Sequence, residues 1–112
     1  MNKSIRIGGA SGFWGDSYRA TEQLIQDTTL DFIVYDYLAE ITMSIMARAR
    51  AKSPSAGYAT DFIDAVIKPY IKRISTHNTR LISNAGGVNP EKCAEVILSL
   101  IHISEPTRPL HI

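Results

Sequence analysis

The chain has 112 residues, 45% of them hydrophobic and 21% charged, with a formal net charge of +1. That length allows one domain, or part of one, with a modest core, and the small charge leaves no electrostatic case for a nucleic-acid or anionic-membrane partner. No apolar run reaches the roughly 18 residues of a membrane helix. The N-terminal residues lack the apolar core of a secretory leader, and the single Cys93 excludes an internal disulfide. The expectation is a cytoplasmic protein acting on a small molecule.

The first apolar alternation, Ile5-Arg6-Ile7, predicts a strand with the two isoleucines on one side. It runs into Gly8, Gly9, Gly12 and Gly15, residues that permit tight turns and close approach to the main chain. Asp16 or Ser17 can cap a following helix, about 17–28, with Ala20, Leu24 and Ile25 on its apolar side. Leu30–Leu38 predicts a second strand, and the continuous apolar centre Phe32–Tyr35 suits a strand buried on both faces of a parallel sheet. A helix over about 39–51 places Ile41, Ile45 and Met46 inward and closes on Arg48, Arg50 and Lys52, cations that complement its dipole.

After the loop Ser53–Gly57, a helix opens at Thr60-Asp61 and runs to about Ser75, its apolar side formed by Phe62, Ala65, Val66, Tyr70 and Ile74. Pro69 predicts a kink or break within it. Arg80–Ser83 is a third short strand, followed by the glycine turn Asn84–Pro90 and a helix capped by Asn89, with Cys93, Ala94 and Ile97 on its apolar face. The order of elements predicts an α/β fold: a mostly parallel sheet with flanking helices, a Rossmann-like three-layer fragment that is incomplete.

Three groups of residues carry candidate chemistry. The first loop, with Gly9, Ser11, Gly12, Gly15 and Asp16, is either a cradle for a phosphate or carboxylate at a helix N-terminus or a tight structural turn. Its GxxGxxG spacing departs from the dinucleotide GxGxxG, and no GxxxxGK[ST] occurs, so no cofactor is assigned. Asp36, at the carboxyl end of the second strand, and Glu40, at the start of the next helix, can share a crevice at the sheet edge. There they can do acid–base work or hold a divalent cation, or simply cap the helix. Asn84, Gly86, Gly87 and Asn89 offer backbone N–H groups and amides for a substrate oxygen, or form a structural left-handed turn. In a parallel sheet both glycine loops and Asp36 open on one edge.

Cys93, among apolar neighbours, reads as a core cysteine rather than a reactive thiol. His77 has no partner at metal-ligand spacing, and no metal site is predicted. Trp14 is either a lid over a ligand or an anchor for the first loop.

Four blocks resemble the N-terminal region of the acyclic terpene utilisation (AtuA-type) family, long treated as a domain of unknown function. They are Arg6–Asp16, Asp36–Met43, Gly57–Phe62 and Asn84–Pro90. The resemblance spans about residues 5–97 and implies bacterial breakdown of acyclic terpenoids such as citronellol and geraniol. It implies branched acids or their CoA thioesters as substrates and a much longer protein, of which this chain is a fragment, but it carries no agreed catalytic residues. The alternative is a non-catalytic binding or assembly subunit of the same pathway. From Leu98 to Arg108 the sequence instead resembles the translation of a transposon-type adapter used in preparing DNA for sequencing. On that resemblance residues 1–97 are the family domain and 98–112 an artefact tail, which leaves His102 and His111 outside any site.

Overall fold

A computed structural model describes residues 4–12, 14–16 and 18–104. Three strands, β1 (Ile7–Ser11), β2 (Phe32–Tyr35) and β3 (Arg80–Ser83), lie side by side in that order. Both pairings are parallel, with Gly8 beside Ile33 and Ile33 beside Leu81. The helices α1 (Ala20–Leu24), α2 (Glu40–Lys52), α3 (Lys68–Thr76) and α4 (Pro90–Ser104) fall between and after the strands, giving the α/β arrangement expected from the pattern of elements.

Side chains alternate across a sheet, and here the alternation separates two unlike faces. Gly8, Ala10, Ile33 and Tyr35 are buried beneath the helices. On the opposite face Ile7 is 62% and Ile82 52% exposed, with Phe32 and Val34 half-buried between them. Phe32–Tyr35 is therefore buried on one face, not both, because the described residues put no close-packed layer over the other. The initial isoleucines lie on this open side, and the inward positions of β1 belong to Gly8 and Ala10.

β1 is longer than expected and takes in the first two glycines. A Cβ on Gly8 would come within 3.1 Å of Leu24 and 3.2 Å of Leu30, so the missing side chain lets α1 and the segment before β2 press onto the strand. The pairing slips between Gly9 and Ser11, a bulge that brings Ser11 level with Tyr35. α1 is only five residues long and is not capped by Asp16, whose Oδ2 instead accepts from the Gly12 N–H at 2.8 Å. Ser17 lies outside the described residues. The helix stops before Asp27, whose carboxylate accepts from the backbone and side chain of Thr29 and from Arg6, a local turn that competes with a further helical turn.

α2 keeps Met46 inward as expected but turns the two isoleucines out. Ile41 and Ile45 are 71% and 48% exposed, while Thr42 and Met46 are buried. The helix rests on the second glycine loop rather than on the sheet: Met46 fills the space beside Gly87, and Arg50 donates to the Val88 carbonyl. In α4 Cys93 is buried and Ala94 exposed, correcting the inward placement of Ala94.

Between α2 and α3 the chain forms a π-helical turn, Phe62–Ile67. Its last bond runs from the Lys68 N–H to the Ile63 carbonyl, five residues back. In an α-helix the ring of Pro69 would clash with the carbonyl four residues earlier. Widening the preceding turn accommodates Pro69 without the expected break, and α3 then starts with Pro69 in its first turn. Phe62, Ile63, Val66 and Ile67 all remain buried.

Candidate functional site

In a parallel sheet all carboxyl ends open on one edge, where loops rather than packed strands meet solvent. Here that edge carries a narrow cleft. Ser11, Gly15, Asp16 and Tyr18 line it from the first loop and the segment after it, and Tyr35 and Tyr37 from the end of β2. Thr21 of α1 and Asp61, just before the π-helical turn, complete the polar wall, with Ala65 and Val66 as the apolar side. The cleft has about 10 Å³ for the centre of a water-sized group, space for one oxygen rather than a whole ligand.

Three aromatic rings pack together at this cleft. Tyr35 and Tyr37 stack with ring centres 6.1 Å apart, and Phe62 sits edge-on to them at 5.2 and 6.0 Å. The Tyr35 hydroxyl and Thr21 Oγ1 share a buried hydrogen bond of 2.7 Å. Burial pushes the Tyr35 phenol up to about 12, partly offset by that bond. Tyr37 is raised as well, first by burial, then by the neighbouring Tyr35 and the charge of Asp61. Both phenols are protonated at neutral pH, so each can donate.

The expected site residues divide into two groups. Ser11, Gly15 and Asp16 reach the cleft, and Gly12 is tied to Asp16 beside it. Gly9 lies within β1, with nothing within 4 Å of where its Cβ would stand. Asp36 and Asn84 form a clip between two strand ends. Asn84 Nδ2 donates to Asp36 Oδ1 at 2.8 Å, and the Tyr37 N–H donates to Asn84 Oδ1 at 2.9 Å. The Leu38 N–H and Ser11 Oγ add bonds to Asp36. Glu40 is exposed at the start of α2, in an open depression with Ala39, Ile41 and Ser44, away from the residues of the cleft.

In the second loop the amides are engaged internally. Asn89 Nδ2 donates to the Pro54 and Ala56 carbonyls, and its Oδ1 accepts from the Lys92 N–H, the capping role expected of it. The Gly87 and Asn89 N–H groups bond to Asn84 and Gly86 carbonyls within the turn. Gly86 closes on Pro90, where an added Cβ would meet the ring at 2.8 Å.

Tyr18, Thr21, Tyr35, Tyr37 and Asp61 are the polar cleft residues that sequence reasoning missed. Tyr35 and Tyr37 read as part of the second strand and Asp61 as a helix opener. The available signal was two tyrosines two apart at the end of a strand, which places two phenols on one face where the sheet opens. Trp14 is half-buried and its N–H bonds to the Tyr37 carbonyl at 3.2 Å, so its backbone anchors the first loop to the cleft. Burial pushes the Cys93 thiol up, as a core cysteine requires. Among the described residues no cluster of His, Cys, Asp and Glu can hold a metal ion, and no described helix is long and apolar enough to cross a membrane.

Strand order, direction and the position of the cleft define an α/β protein with its candidate site at the carboxyl edge of a parallel sheet. The family model described as acyclic terpene utilisation family protein AtuA matches residues 5–106. The chain belongs to that family. No curated protein and no solved structure matches it.

Proposed function

We propose that this chain forms part of an enzyme of acyclic terpenoid catabolism that acts on branched acids or their CoA thioesters at the carboxyl edge of its sheet. The observation that supports this is the cleft itself. Four separate segments converge on it with two carboxylates, three phenols and two aliphatic hydroxyls. A purely structural turn does not require such convergence.

The charge of the cleft decides which part of a substrate it meets. Asp16 and Asp61 line it, and none of its described lining residues is basic. A free carboxylate or the phosphates of CoA would be repelled there. The cleft therefore takes the uncharged part of the molecule, and the anionic part lies elsewhere. Asp61 is the acid–base group of this reading, while Asp36, held by Asn84, positions the end of β2.

The test is turnover by the protein of branched terpenoid acids and their CoA thioesters, followed by mass spectrometry. The reading expects substrate loss, reduced about 100-fold or more in kcat/KM by Asp61→Asn with unchanged thermal stability. Saturable binding without turnover would overturn the enzymatic reading in favour of a binding subunit.

A further inference from the structure

Resting on that reading, we infer that the cleft is an enolising site: the Tyr37 hydroxyl holds the carbonyl oxygen of an acyl thioester while the Asp61 carboxylate removes a proton from the adjacent carbon. The inference starts from Tyr37. It is only 5% exposed, lines the cleft, and its hydroxyl bonds to none of the described residues. No enclosed side-chain oxygen or nitrogen among the described residues lacks a partner, so this unpaired hydroxyl opens on the cleft. Burial and the charge of Asp61 keep it protonated, a donor that suits an oxygen which only accepts.

The other polar groups of the cleft fit supporting roles. Tyr35 shares its buried bond with Thr21. Tyr18 is 63% exposed, where water competes for its hydroxyl. Asp16 is exposed and holds the Gly12 N–H with one oxygen. Asp61 is half-buried, accepts no bond from the described residues, and stands close enough for its charge to act on Tyr37. A carboxylate partly withdrawn from water beside a protonated phenol is the pairing that proton abstraction next to a carbonyl uses.

The step balances without a co-reactant. The Cα–H bond breaks, its proton goes to Asp61, and its electron pair forms a double bond to the carbonyl carbon. The carbonyl π pair moves onto the oxygen, where the Tyr37 O–H stabilises the enolate. Negative charge passes from Asp61 to that oxygen, so the cleft gains none. A free carboxylate would have to become a dianion beside Asp16, which selects the thioester over the acid. The space for one oxygen, about 10 Å³, takes the carbonyl, and the apolar chain leaves along Ala65 and Val66. Both belong to the π-helical turn after Asp61, a widened turn of the kind that recurs at functional sites.

The experiment is deuterium uptake in heavy water at the carbon next to the carbonyl of citronelloyl-CoA, read by mass spectrometry, with free citronellate as the control. The inference expects the protein to exchange that position of the thioester at least about 100-fold faster than buffer and to leave citronellate unexchanged. Tyr37→Phe, which keeps the ring packed on Tyr35 and Phe62, should slow exchange about 10-fold or more with Tm unchanged. Asp61→Asn should slow it about 100-fold or more, and Asp16→Asn should leave it nearly unchanged. Should a variant misfold, loss of deuterium from the labelled thioester in ordinary water reads the same step on the unaltered protein. No exchange, equal exchange of citronellate, full exchange by Tyr37→Phe, or dependence on Asp16 rather than Asp61 would each overturn the inference. Turnover of an acid or thioester without this exchange would leave the enzymatic reading standing, whereas absence of both would overturn the two together.

Discussion

Replacing Gly87 by alanine should destabilise the protein by about 2–4 kcal/mol, through two independent effects. Gly87 has φ +56°, and an L-residue in the left-handed region costs about 1 kcal/mol or slightly more. An alanine Cβ there would also stand 2.7 Å from the Gly57 carbonyl oxygen and against the sulfur of Met46. Met46 can shift, but the Gly57 carbonyl accepts the Val88 N–H at 3.0 Å, so relieving the clash strains that bond. Overpacking of this kind costs about 1–3 kcal/mol. Gly9→Ala is the control, because its Cβ would meet nothing within 4 Å and its φ is not in the left-handed region; a change within about 0.5 kcal/mol is expected. Urea unfolding followed by circular dichroism separates the two. With slopes of about 1–3 kcal/mol/M, Gly87→Ala should lower the midpoint by roughly 1 M or more, and Gly9→Ala should leave it unchanged. Equal midpoints for the two variants would refute the claim that the second glycine loop is built around a backbone contact.

Other predictions follow from the hydrogen bonds of the sheet edge. Asn84→Ala removes the acceptor of the Tyr37 N–H and the donor to Asp36, and should cost about 1–3 kcal/mol in the same assay. Tyr35→Phe leaves the buried Thr21 hydroxyl without its partner and should cost about 1–2 kcal/mol, most of it recovered when Thr21→Val is added. Asp27 is held down to about 2 from 3.8, first by the Thr29 hydroxyl, then by its N–H and by Arg6. A depressed carboxylate stabilises the fold above its unfolded pKa and loses that contribution as pH falls through the folded value. Asp27→Asn should therefore lower Tm at neutral pH, with the difference fading between about pH 4 and pH 2.

The fold was legible where the pattern was long or the chemistry local. The second and third strands, the helix from Pro90 and the Asn89 cap could be read from apolar runs and turn residues. What the sequence did not reveal depended on partners distant in the chain. The outward turn of Ile41 and Ile45 follows from α2 resting on the Gly57 and Gly87 turns, contacts that no periodicity records. The strand through Gly8 and Gly9 depends on Leu24 and Leu30 packing where a side chain is missing. Pro69 marked a disturbance correctly, but a π-helical turn and a break are alternative answers to one missing N–H and one clash. In the site, the carboxylates singled out by spacing, Asp36 and Glu40, do not meet in the cleft. Asp36 is joined instead to Asn84, 48 positions away. Tyr37 and Asp61 line one cleft because Phe62, next to Asp61, packs on the rings of Tyr35 and Tyr37, a tertiary event invisible in either segment alone.

The most direct test of the central claim, that ligand engages the carboxyl-edge cleft, is amide hydrogen exchange on the protein with and without a branched terpenoid CoA thioester. The account predicts new protection confined to the first loop, around residues 11–18, and to the segment 58–66. Protection falling instead on the groove between α3, β3 and α4, near Ile71, Leu81 and Ile97, or on the loop at Asn84–Asn89 with none at 11–18, would contradict it.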